Sequence, residues 1–238
     1  MREFKDLKIK IFADGADLDG IIAMNDKDFI QGLTTNPTLM KKAGITDYKR
    51  FAKEVLLHVT TKPVSFEVFS DDLDEMKKQA LEISSWADNV YVKIPITTTS
   101  GESTSSVIES LVALGAKVNV TAIMTARQVA DVAKFLNPKV QSYVSVFAGR
   151  IADTGVDPTD IMVSSLKILE SNRNAELIWA SPRELLNVFQ ANAIGCHIIT
   201  ATNDILSKIP LVGYDLDKFS LDTVKMFRKD ALESGFSL

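Results

Sequence analysis

Lys93 stands in the run Val90-Tyr91-Val92-Lys93-Ile94-Pro95-Ile96, flanked on both sides by apolar and aromatic residues. An ammonium group is costly to bury, so a segment of this kind favours the neutral amine. A neutral amine attacks a ketone or aldehyde to give a carbinolamine and then an imine. The protonated imine can accept the electron pair of an adjacent carbon–carbon bond. The other reading is an edge-strand lysine whose head reaches water. Asp14, in Ile11-Phe12-Ala13-Asp14, and Glu67, in Ser65-Phe66-Glu67-Val68-Phe69, also sit in largely apolar runs. Imine chemistry needs acids and bases to dehydrate the carbinolamine and deprotonate a substrate hydroxyl, and these carboxylates are candidates. They would serve equally as ion-pair partners of Lys93, and a lysine and two carboxylates in one pocket titrate as a coupled set.

Arg150 and Arg183 follow two later β-like runs. Two guanidinium groups on neighbouring loops suit a phosphate, each donating a fork of hydrogen bonds; ordinary surface arginine is the alternative. Ser145 and Ser181 would add hydroxyls nearby. Cys196 and His197 lie inside the last run and read as core. Two histidines, His58 and His197, are too few for a multi-histidine metal site.

The elements that must position these groups alternate along the chain. Strand candidates are 9–14, 32–37, 64–69, 89–95, 117–123, 142–148, 176–181 and 196–202, each rich in β-formers and bounded by polar or turn residues. Helical spacing lies between them: Val129, Val132, Ala133 and Leu136 form one apolar face, as do Val107, Ile108, Leu111 and Leu114, with Gly115 at a helix C′ position. Asp157 and Pro158 read as an N-cap and a first helical residue, and Asp71 and Asp72 open a helix over 71–86. Eight such repeats predict a (β/α)8 TIM barrel, with an open doubly wound sheet as the alternative. No GxGxxG follows the first run, which weakens a dinucleotide-binding version. The expected organisation is one domain over 1–238.

In such a barrel the chemistry sits at the C-terminal strand ends, and inward residues share parity. Asp14 pairs in this way with Phe12, Asn36 with Thr34, and Glu67 with Ser65 and Phe69. The same holds for Asn119 with Thr121, Ser145 with Phe147, and Ser181 with Arg183. Polar residues recurring at six or seven strand ends predict a shared polar pocket.

The chain has 238 residues, 46% hydrophobic and 24% charged, with a formal net charge of −4. That length suffices for one full barrel core. The mild acidity argues against a nucleic-acid partner. No apolar run approaches the roughly 20 residues that span a membrane, and the charged start MREFKDLKIKIF lacks a signal-peptide core. One cysteine excludes an internal disulfide and fits a reducing compartment, so a cytoplasmic protein is expected.

Taken in order, FAD at Asp14, GLTTNPT at Asn36, SFEVF at Glu67, VKIP at Lys93, NVTAIMT at Asn119 and Thr121, SVFAGRI at Ser145 and Arg150, and ASPR at Ser181 and Arg183 resemble the transaldolase and fructose-6-phosphate aldolase family, the compact class I aldolase barrels. The resemblance covers roughly residues 9–185. It implies that Lys93 forms the imine, that Glu67 is an acid/base acting through a water positioned by Thr121, and that Asp14 handles the hydroxyl proton beside the breaking bond. It implies further that Asn36, Asn119 and Ser145 bind the hydroxyls of a dihydroxyacetone unit, and that Arg150, Ser181 and Arg183 hold phosphate. Glu67 and Phe147 match the transaldolase type, where aldolase members tend to carry glutamine and tyrosine. The implied activity is therefore transfer of dihydroxyacetone from a ketose phosphate to an aldose phosphate, with neither cofactor nor metal. An aldolase releasing dihydroxyacetone, a transferase with a specialised acceptor and a silent sugar-phosphate-binding barrel are the alternatives. A phosphosugar isomerase is disfavoured because no histidine is well placed. Pro182 departs from the family pattern, the 97–102 loop has no assigned role, and compact members form ring-like homo-oligomers. The stretch 217–234 reads as an amphipathic helix that covers either the barrel or a neighbour.

Overall fold

Short runs rich in isoleucine and valine become strands because alternate residues face two different apolar surfaces. A computed structural model describes residues 4–235, so both ends of the expected 1–238 span lie outside the described residues. The strands are β1 (Lys10–Asp14), β2 (Ile30–Thr34), β3 (Val64–Glu67), β4 (Val90–Pro95), β5 (Val118–Ile123), β6 (Ser142–Val146), β7 (Ala175–Trp179) and β8 (Ile198–Thr202). All neighbours pair parallel, and β8 closes on β1 to complete an eight-stranded barrel. The α-helices are α1 (Leu18–Asn25), α2 (Pro37–Lys42), α3 (Tyr48–His58), α4 (Leu73–Ser84), α5 (Ser105–Ala113) and α6 (Ala126–Ala133). They continue with α7 (Ala148–Ala152), α8 (Thr159–Leu169), α9 (Leu186–Ala193), α10 (Asn203–Leu206) and α11 (Leu216–Glu233). The expected (β/α)8 TIM barrel is the fold.

Helix starts follow capping chemistry. The side chains of Asp17, Asn36, Asp47, Asp72 and Asp215 each accept a hydrogen bond from a first-turn amide of the helix that follows. Thr125 and Gln128 form a reciprocal capping box at α6. The helix expected from Asp71 begins at Leu73, and Asp71 instead accepts hydrogen bonds from the backbone and hydroxyl of Thr99. Asp157 accepts from Thr159 N, which places the start of α8 one residue after Pro158. Leu114 is 67% exposed, since α5 ends just before it and Gly115 adopts φ +82°.

Four expected strands overrun at their C-terminal ends, the 176–181 candidate among them, since β7 ends at Trp179. The 32–37 candidate is a strand over 30–34, because Asn36 caps α2. The 64–69 candidate stops at Glu67, leaving Phe69 outside the barrel against Tyr48, ring centroids 4.4 Å apart. The 142–148 candidate stops at Val146, and Phe147 and Ala148 open α7. In these three the chain turns within a residue of a polar side chain that lines the barrel mouth: Thr34, Glu67 and Ser145.

The larger core lies between barrel and helices. Val92 and Ile94 of β4, for example, join Met76 and Ala80 of α4 and Ile108 and Leu111 of α5. The smaller core fills the barrel's lower interior with Phe12, Tyr91, Tyr143, Ile178, Ala180 and Ile198. Tyr91 stacks on Tyr143 at 4.0 Å, and Phe12 meets Tyr143 edge-on at 5.6 Å. Below them Lys10 pairs with Glu176 at 2.8 Å. The aromatic plug closes one end, so the barrel's polar residues face a pocket at the other. Gly32 makes room for the plug: a β-carbon there would lie 2.5 Å from the Phe12 ring. We expect Gly32→Ala to destabilise the protein by about 1–3 kcal/mol through overpacking, measured by chemical denaturation. Unchanged stability would show that Phe12 does not fill the barrel as described.

Candidate active site

A pocket of about 480 Å³ opens at the C-terminal ends of the strands and is lined by Asp14, Asn36, Glu67, Lys93, Asn119, Thr121, Ser145, Phe147, Arg150, Ser181 and Arg183. Every residue to which the resemblance gives a role lines this one cavity. Parallel register explains the centre: Glu67 pairs with Lys93, and Lys93 with Asn119, so three strands present their side chains in one row. Lys93 is only 7% exposed. Its Nζ lies 3.1 Å from Glu67 Oε2 and donates to the Thr35 carbonyl at 2.8 Å. Desolvation, argued from the sequence, is thus only part of the setting, because a carboxylate and a carbonyl compensate the buried charge.

Asp14 occupies the adjacent wall. Thr34 Oγ1 donates to its Oδ1 at 2.8 Å and Asn36 Nδ2 to its Oδ2 at 3.1 Å. Asn36 does double duty, because its Oδ1 accepts from Leu39 N at 2.9 Å and starts α2. Burial raises the Asp14 carboxyl above its ordinary value of 3.8; Lys93, Thr34 and Asn36 pull it back, and Glu67 pushes it up further. A carboxylate held in this balance has a heightened appetite for a proton.

Across the pocket Ser145 Oγ donates to Asn119 Oδ1 at 2.7 Å, and Asn119 Nδ2 donates to Ser65 Oγ at 3.0 Å. Thr121 Oγ1 is buried and has no hydrogen-bond partner among the described residues. Such an atom ordinarily finds a water or ligand. Next to it Ala122 takes φ +61° where β5 gains one residue against β6, a bulge at the pocket wall.

The rim carries the cations. Arg150 on α7 lies over the Phe147 ring, 5.7 Å from its centroid. Arg183 Nε donates to Asp153 Oδ1 at 3.0 Å and its Nη2 donates to Oδ2. Strand alternation does not deliver Ser181 and Arg183, contrary to the parity argument. β7 ends at Trp179, and Ser181 reverses the chain at φ +59°. Left-handed backbone costs a non-glycine residue about 1–2 kcal/mol, and such strain concentrates at functional sites. Gly149 permits the turn, since a β-carbon there would sit 1.5 Å from the Ser181 carbonyl oxygen. Pro182 also lines the pocket. The 97–102 loop does not line it; the loop folds on itself through Thr98 N to Glu102 O at 2.8 Å and is tied to Asp71 by Thr99.

Several contributors carried no sequence signal of their own. The Tyr48 hydroxyl accepts from Glu67 N at 2.7 Å and donates to Glu67 O at 3.0 Å, clamping the backbone beneath the carboxylate. Thr200 of β8 reaches Thr34 of β2, a contact that only barrel closure brings about; Ser65, which strand parity already turns inward, meets Asn119 two strands away. Cys196 is buried with its thiol pushed up to about 12 by desolvation, and half-buried His197 accepts from Leu177 N, so both are structural. Among the described residues, no group of three or more His, Cys, Asp or Glu could hold a metal ion, and no helix is long and apolar enough to cross a membrane.

A family model described as Transaldolase/Fructose-6-phosphate aldolase matches residues 11–237. The chain is 34% identical to a "Probable transaldolase" of Desulforamulus reducens over 92% of its own length and 99% of that protein. It is 32% identical to a "Probable transaldolase" of Brucella ovis over 94% of its length and 100% of that protein. Among solved structures, a mutant flavocytochrome b2 with benzoylformate superposes with a TM-score of 0.57 at 10% identity, covering 82% of this chain and 57% of that one; the likeness is of fold alone. With a closed barrel, a buried lysine–glutamate pair in its mouth and relatives matched end to end, the chain belongs to the transaldolase/fructose-6-phosphate aldolase family of enzymes.

Proposed function

We propose that the protein is a transaldolase that moves a dihydroxyacetone unit from a ketose phosphate, fructose 6-phosphate or sedoheptulose 7-phosphate, to an aldose phosphate such as erythrose 4-phosphate through an imine at Lys93. The observation that carries this reading is Lys93 Nζ at 3.1 Å from Glu67 Oε2, in a pocket whose rim bears two arginines. Lys93 passes one proton to Glu67, and the neutral amine so formed adds to the ketose carbonyl. Glu67, through a water that hydrogen-bonds Thr121, relays protons and returns one to the departing hydroxyl, so that water leaves and a protonated imine remains. Asp14 takes the proton of the hydroxyl beside the bond to be broken. That carbon–carbon bond cleaves, its electron pair flows to the imine nitrogen, and an aldehyde departs. The resulting enamine attacks the acceptor aldehyde, Asp14 returns the proton, and hydrolysis of the new imine frees Lys93.

Binding follows the same chemistry. Asn36, Asn119 and Ser145 hydrogen-bond the hydroxyls of the three-carbon unit, and Arg150, Ser181 and Arg183 hold phosphate. Phe147 presents no hydroxyl to the enamine. Pro182 in the pocket lining favours a second reading, a transferase with a specialised acceptor. For assembly we propose a homo-oligomer: α11 buries none of its residues, and Leu216, Phe219, Val224 and Phe227 are all exposed. A single buried cysteine accords with a reducing, cytoplasmic setting.

Fructose 6-phosphate alone should give little free dihydroxyacetone, while addition of one of a panel of aldose phosphates should give a new ketose phosphate. Rapid accumulation of dihydroxyacetone without acceptor would contradict the transferase reading in favour of the aldolase one. Glu67→Gln should lower transfer by about 10²-fold, the scale of one lost acid–base group, and raise the ratio of release to transfer. An unchanged ratio would remove Glu67 from the proton relay.

A further inference from the structure

Thr34 Oγ1 touches two groups at once: Asp14 Oδ1 at 2.8 Å and Thr200 Oγ1 at 2.6 Å. A threonine hydroxyl has a single proton to donate, and an ionised carboxylate can only accept. The Thr34 proton is therefore committed to Asp14, and the shorter contact requires Thr200 to donate to Thr34. Both threonines are buried, at 3% and 6% exposure, so bulk water does not readily replace either partner. Thr200 comes from β8, whose register with β1 sets Phe12 beside Thr200 and Asp14 beside Thr202.

We propose that Thr200 is a positioning residue for the reaction: by donating to Thr34 it reserves the Thr34 proton for Asp14 and holds that carboxylate ready to receive a substrate proton. Once Asp14 is protonated it becomes a donor, and the two hydroxyls can reverse together, so the pair follows the charge of Asp14. The other groups facing Asp14 are Asn36 from the start of α2, Lys93 from β4 and Glu67 from β3. Asp204 on α10, which packs against β1 and β8, lines the exposed part of the same pocket. None of these substitutes for Thr200, because none touches the Thr34 hydroxyl. A donor hydrogen bond to a hydroxyl strengthens that hydroxyl's own donation. Losing it weakens the hold on the ionised form, and Asp14 keeps its proton to higher pH.

The inference rests on the reading of Asp14 as the base in the proposed reaction, so its test has one arm independent of activity. In the free protein, the Asp14 carboxyl is titrated by isotope-edited infrared spectroscopy, with Asp14→Asn identifying the band. Thr200→Val keeps the shape and removes the hydroxyl, and should move the titration up by about half a pH unit. Thr200→Ser should restore it, and Thr200→Ala serves if the valine variant does not fold. The acid limb of kcat/KM for fructose 6-phosphate should move with the titration. An unmoved titration in the variants lacking the hydroxyl, or a serine variant that behaves like valine, would overturn the proposal. A titration that moves while the acid limb stays supports the threonine relay and contradicts instead the assignment of Asp14 as the base.

Discussion

A primary amine held inside an apolar barrel is the constraint around which the rest is arranged. Lys93 is buried and would be strongly destabilising without the carboxylate of Glu67 at 3.1 Å and the carbonyl of Thr35 at 2.8 Å. Separating a buried pair of this kind typically costs about 3–5 kcal/mol, so the three groups are fixed relative to one another before any ligand arrives. Below them the stacked tyrosines and Phe12 exclude water from the barrel's lower half. Above them Asp14, Asn36, Asn119 and Ser145 line the mouth at the C-terminal strand ends. The barrel therefore separates a dry floor from a polar mouth, and the lysine sits at the boundary.

Much of this was legible because a closed parallel barrel is periodic. Alternation within each strand marks which side chains point inward, and Glu67, Asp14, Asn119 and Ser145 follow from it, while Lys93 stands out by its apolar flanks. Alternation gives no guide where the backbone stops being a strand. Ser181 and Arg183 enter the pocket through a left-handed residue, and Phe69 leaves the barrel because β3 ends two residues earlier. Tyr48 and Thr200 were out of reach for another reason. Their contacts span 19 and 166 residues and exist only after helix α3 docks and β8 closes on β1. Local patterning carries no record of such partnerships.

The loops show where stability is given up for geometry. Ala122 and Ser181 are the positive-φ residues other than glycine among those described, and both line the pocket. Gly149 lets the Ser181 carbonyl approach a neighbouring backbone where any side chain would intrude. Asp153 holds one edge of the Arg183 guanidinium through Nε and Nη2. These devices shape the arginine-bearing rim without help from the barrel register.

The most direct test of the account is reductive trapping. The protein is treated with borohydride in the presence and absence of fructose 6-phosphate, then digested and analysed by mass spectrometry. The account predicts inactivation only when the ketose is present, with the added mass on the peptide carrying Lys93 and on that residue. Trapping on another lysine, or full activity after borohydride with the sugar bound, would contradict it.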